Sequence, residues 1–124
     1  MSEPLPTTDA VTRCLERIRH LATPADNNHW VADPPAVAAA EKLLAARPGL
    51  APRFYIYASE DGGININIIP SMTGVNYEVG ISASGEVEIC CIFHSHPEDD
   101  VYQDFSGLDA EALAFLDGLI GGAA

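Results

Sequence analysis

From Thr8 to Ala22 the apolar residues Val11, Cys14, Leu15, Ile18 and Leu21 recur at spacings of three and four, which places them on one face of a helix. Arg13, Glu16 and Arg17 take the wet side of that helix. The run Ala22 to His29 is rich in turn formers and has no apolar period, so it predicts a loop, with Trp30 anchoring the chain back onto the core. A second helix begins at Pro34, where a missing N–H is harmless, with Asp33 as its N-cap. Val37, Ala40, Leu43 and Leu44 form its inward face to about Ala46, and Pro48-Gly49 stops it.

Beyond Arg53 the period changes from helical to two. Phe54-Tyr55-Ile56-Tyr57 predicts a strand and Glu60-Asp61-Gly62-Gly63 a tight turn in which the glycines supply positive φ. Ile64, Ile66 and Ile68 then alternate with Asn65 and Asn67, one face dry and one wet, completing a hairpin. Pro70 to Gly74 breaks the pattern. Tyr77, Val79 and Ile81 resume it, and Ser82-Ala83-Ser84-Gly85 turns the chain into Val87, Ile89, Cys91 and Phe93, a second hairpin. The acidic stretch Pro97 to Asp104 predicts a loop. Ser106 is positioned to cap a last helix with Leu113, Leu116, Leu119 and Ile120 apolar, ending at Gly121-Gly122. Helices and strands are segregated along the chain, so the expected class is α+β. The expectation is a single domain over residues 1–124: a four-stranded antiparallel sheet of two hairpins, with two N-terminal helices and one C-terminal helix on one face.

Charge sharpens this picture. The 124 residues carry a formal charge of −12, and all six Lys and Arg lie at or before Arg53. Everything beyond is acidic, so phosphate neutralisation has almost no cations to work with, and direct nucleic-acid binding is set aside. A field of one sign also repels membrane surfaces and speeds encounter with a basic partner. No apolar run is long enough to span a bilayer and no basic n-region precedes an apolar one, so the expectation is a soluble cytoplasmic protein. Cys14, Cys90 and Cys91 are an odd count without a Cys-x-x-Cys pair, which suits a reducing compartment. Cys90 and Cys91 point to opposite faces of one strand, Cys91 into the core, and Cys14 reads as a helix-face hydrophobe. Asp61-Gly62-Gly63 joins two strands instead of a strand to a helix, so no phosphate loop is expected.

The sharpest local chemistry is His94-Ser95-His96-Pro97 at the predicted end of the fourth strand, where side chains two apart share a face and can approach one ion. With Ser106-Gly107-Leu108-Asp109 downstream, this resembles the JAMM metalloproteases. The resemblance implies zinc held by His94, His96 and Asp109, with a water in the open position, and a peptidase or isopeptidase activity. The family's general-base Glu has several counterparts in type (Glu41, Glu60, Glu78, Glu86, Glu88), and the sequence does not choose among them.

A wider pattern covers nearly the whole chain. Trp30, the Ala-rich helix Ala36 to Leu44, Asp61-Gly62-Gly63-Ile64-Asn65-Ile66-Asn67-Ile68, Tyr77-Glu78-Val79, Ser84-Gly85-Glu86-Val87 and Phe105-Ser106-Gly107 follow one another in order. This resembles an uncharacterised family of short bacterial proteins with a Trp-Asp-Gly-Tyr loop and an Asp-Gly-Gly-Ile hairpin. That resemblance implies a fold and no activity. The leading expectation is therefore a non-enzymatic accessory or protein-binding module, of immunity-protein or antitoxin type, without a cofactor. Its partner surface is placed at Glu86, Glu88, Glu98, Asp99 and Asp100, facing a basic protein. Tyr55, Tyr57 or Ile92 turned outward on a one-sided sheet would favour a homodimer.

Overall fold

In a computed structural model, residues 6–23, 31–69 and 74–123 are described. Helix α1 (Pro6–Ala22) is followed by α2 (Pro34–Ala46) and a 3₁₀ segment, Pro48–Arg53. Strands β1 (Phe54–Ala58), β2 (Ile64–Ile68), β3 (Val75–Ile81) and β4 (Val87–Phe93) come next. A second 3₁₀ turn, Pro97–Asp99, leads into β5 (Val101–Phe105), and α3 (Ala110–Ala123) closes the chain. Trp30, its loop from 24 onward and residues 70–73 of the predicted break lie outside the described residues.

The five strands form one antiparallel sheet in the order β1-β2-β3-β4-β5, each paired with its neighbour in sequence. Alternation decides which side is dry. Ile56, Ile64, Ile66, Ile68, Val79, Ile81, Val87, Ile89 and Cys91 are buried beneath the helices, together with Tyr77. Against them pack Ile18 and Leu21 of α1, Ala36, Ala40, Leu43 and Leu44 of α2, and Ala112 and Leu116 of α3. The helices contact the sheet in chain order, α1 on β1, α2 on β2 and β3, α3 on β4, so one face is covered and the other left open.

Four readings of the sequence are corrected. The sheet has five strands, not four: the Pro97–Asp99 turn reverses the chain, and 101–105, expected as loop, pairs with β4. The tight turn is held by the Asp99 and Asp100 N–H groups, which donate to the carbonyls of His96 and Pro97. The last helix is capped by Asp109 instead of Ser106, since its Oδ1 accepts the Ala112 N–H at 2.9 Å, and the helix runs past Gly121-Gly122. Asp33 precedes α2 in extended conformation but its side chain makes no cap bond. Its N–H donates instead to the Gly62 carbonyl at 2.8 Å and ties the β1–β2 turn to the start of α2. Pro48-Gly49 stops α2 as expected: the helix ends at Ala46, and the chain tightens into 3₁₀ geometry over Pro48–Arg53. Finally, Gly62 alone of its pair has positive φ (92°). Gly63 is needed because a Cβ there would run into the Ile81 carbonyl and the Ser59 hydroxyl.

Candidate binding face

The open face is built by the residues that alternate with the core. In register across the sheet run Tyr57, Asn65, Gly80, Glu88 and Asp104. Beside that row runs a second, Tyr55, Asn67, Glu78, Cys90 and Tyr102. Tyrosines therefore stand at both margins, Tyr55 62% and Tyr102 57% exposed, and the Tyr55 and Tyr57 rings lean together with centroids 5.8 Å apart. Asparagines and carboxylates fill the middle. No Lys or Arg occurs anywhere in the five strands.

Gly80 gives this face its shape. A glycine inside a strand removes the side chain from one position of the row, and its neighbours in register become the walls of a groove. The groove measures about 760 Å³ and is lined by Asp61, Asn65, Glu86, Glu88 and Asp104, with Gly80 between Asn65 and Glu88 in its row. A Cβ at Gly80 would stand 3.3 Å from Asn65 Oδ1, already inside the groove.

The carboxylates are not equivalent. Glu88 is pushed above the usual carboxylate range, first by desolvation and then by the Asp104 carboxylate. Asp61 is held below that range by the Ser59 hydroxyl, 2.6 Å away, and the Gly63 N–H. The groove thus holds one carboxylate that stays ionised and one that is costly to ionise, with no cation to offset the repulsion. Cys90, beside Glu78 and 5% exposed, has its thiol pushed up to about 11, by burial first and the surrounding carboxylates after it. It is protonated at neutral pH, and the thiolate a nucleophile needs is suppressed.

The residues predicted as partner surface separate into three groups. Glu86 and Glu88 line the groove. Glu98 and Asp99 are exposed on the 3₁₀ turn that feeds β5. Asp100 is half-buried and its Oδ1 accepts the Phe93 N–H at 2.8 Å, so it finishes the β4–β5 ladder. Asp61, Asn65, Gly80 and Asp104 were not anticipated. The signal for Gly80 is a glycine at the polar phase of an otherwise alternating strand.

His94 and His96 are both exposed just beyond β4. The His94 N–H donates to the Gly74 carbonyl at 2.9 Å, and His96 Nδ1 lies 3.5 Å from Glu98 Oε1. Among the described residues, His96, Glu98 and Asp99 come together with ligand-type atoms within 4.8 Å of one another, all three exposed. Asp109 stands instead at the head of α3, with one carboxylate oxygen accepting the Ala112 N–H.

Protein-family models, curated proteins and solved structures yield no match to this chain. Both resemblances therefore rest on the quoted motifs, and the functional reading rests on the face itself. Among the described residues no helix is long and apolar enough to cross a membrane.

Proposed function

We propose that the protein is a non-enzymatic binding module that docks a basic protein on the open face of its sheet. An immunity-protein or antitoxin-like role is an assignment of this kind. The observation that carries the reading is a sheet face without helices on it, with Glu88 and Asp104 lining a groove, Glu78 in the neighbouring row and no basic residue in the strands. Self-association through this face would set those carboxylates against their own copies, and like charges in apposition are costly. Lysine and arginine side chains find the reverse: carboxylates in the groove, and tyrosine rings at the margins on which a cation can rest.

The test is binding of a fluorescein-labelled octalysine peptide at low ionic strength. The Glu88→Gln, Asp104→Asn protein is expected to bind about tenfold more weakly, on the order of 0.5 to 1 kcal/mol per removed charge. A control that removes equal charge from the helical side, Glu16→Gln with Glu111→Gln, changes affinity by less than about threefold. Equal losses in the two proteins would mean that net charge alone attracts the peptide, and the docking face would be abandoned.

A further inference from the structure

The sheet has two edges, and the chain treats them differently. Along an antiparallel edge strand every second residue directs its N–H and C=O away from the sheet. On β1, the Ile69 N–H donates to the Arg53 carbonyl and the Ser59 N–H to the Gly63 carbonyl. That phase turns Tyr55 and Tyr57 toward β2 and leaves Phe54, Ile56 and Ala58 outward. The middle one is taken: Arg17 Nε of α1 donates to the Ile56 carbonyl at 2.9 Å.

On the other side, the His94 N–H donates to the Gly74 carbonyl and the Ser82 N–H to the Glu86 carbonyl. Even-numbered residues of β4 therefore bond to β3, and Val87, Ile89 and Cys91 bond to β5. Their register partners are Phe105, Gln103 and Val101. Tyr102 and Asp104 consequently direct both backbone groups outward, and among the described residues β5 is the last strand of the sheet on that side.

We propose that β5 accepts a basic, extended segment of a partner protein as a sixth strand. The inference rests on the acidic-face reading above and adds the mode of recognition. An added antiparallel strand places alternate side chains on each face. On the open face they lie beside Tyr102 and beside Asp104, which lines the groove, and there lysine or arginine is matched. On the helical face they lie beside Val101 and Phe105, both partly buried against the core, where an apolar side chain is matched. The turn leading into β5 adds Glu98 and Asp99, so the strand end is acidic too. The occupant is a cationic segment and not a second copy, because a second copy brings a further −12 to an edge already short of cations.

The test compares two labelled heptapeptides, Lys-Val-Lys-Val-Lys-Val-Lys and the same sequence N-methylated at its lysines. Methylation keeps every charge and removes the N–H groups that would face β5. The parent is expected to slow amide exchange at Tyr102 and Asp104 about tenfold, and the methylated peptide to bind about tenfold more weakly. In a second arm, Tyr102→Pro and Tyr102→Val both lose the ring, but only the proline also removes an outward N–H without touching the β4 ladder, so it is expected to bind the parent peptide about tenfold more weakly than the valine protein does. Equal binding of both peptides overturns the strand proposal and leaves the acidic face standing. Concentration-dependent protection of the two amides without peptide overturns it in favour of a second copy. Binding by neither peptide removes the acidic-face reading and this one with it.

Discussion

Gly63 shows how a single atom can depend on a strand far away in sequence. The Asp-Gly-Gly turn is legible from residue types, but the reason for its second glycine is the Ile81 carbonyl, contributed by β3 across the sheet. Gly63→Ala must push β3 or the turn aside. A loss of about 2 to 3 kcal/mol in urea unfolding is expected. Gly62→Ala pays for positive φ instead, about 1 kcal/mol. Gly80 carries the same lesson into the site: a missing side chain is visible in the sequence, but that it opens a groove between Asn65 and Glu88 follows only from register.

At the scale of elements, α1, α2 and the first four strands were readable because each has an apolar period long enough to show. Strand β5 was not. Of Val101-Tyr102-Gln103-Asp104-Phe105 only the end residues are half-buried, and Gln103 interrupts the inward phase, so no apolar alternation marks the segment after the acidic Glu98-Asp99-Asp100. What makes it a strand is the unsatisfied edge of β4 and the turn that returns the chain to it. Its presence also moves the start of α3: with 101–105 paired and Leu108 buried, Asp109 is the residue left facing the first helical turn. Asp109→Ala is expected to cost about 1 kcal/mol of stability by urea denaturation, while Asp109→Asn and Ser106→Ala stay within a few tenths. His94 and His96 follow β4 directly, yet side chains near in sequence to a motif need not converge. His96 meets Glu98 and Asp99, and Asp109 serves its helix.

For the whole molecule, charge distribution sets behaviour with pH. Glu88 is harder to ionise in the folded chain than in the unfolded one, so its ionisation opposes folding at neutral pH. That opposition disappears as pH falls through its raised pKa. Asp61 and Asp117 act in the reverse sense, Asp117 because Arg47 holds it in a two-pronged ion pair at 2.6 and 2.8 Å. Their stabilisation is full above the ordinary carboxylate range and lost as pH falls through their lowered values. Melting temperature should therefore rise slightly from about pH 7 to about pH 5 and fall steeply in stronger acid. Glu88→Gln should flatten the rise and add a degree or two at neutral pH, as read by a thermal scan across pH. Octalysine binding has the opposite slope, weakening as the pH falls and Glu88 takes up its proton.

The sequence by itself determined the α+β class, the helical and strand periods, both hairpins, the burial of Cys14 and Cys91 and the concentration of acid beyond Arg53. These follow from local pattern and composition, which need no knowledge of what lies across the fold. Tertiary structure alone decided the fifth strand, the groove at Gly80, the unequal carboxylates of Asp61 and Glu88, and which edge of the sheet is held by Arg17. The fifth strand, the groove and the raised Glu88 depend on residues brought together by register from separate strands, and the Arg17 bond on the packing of α1 against β1; register and packing are properties of the assembled fold.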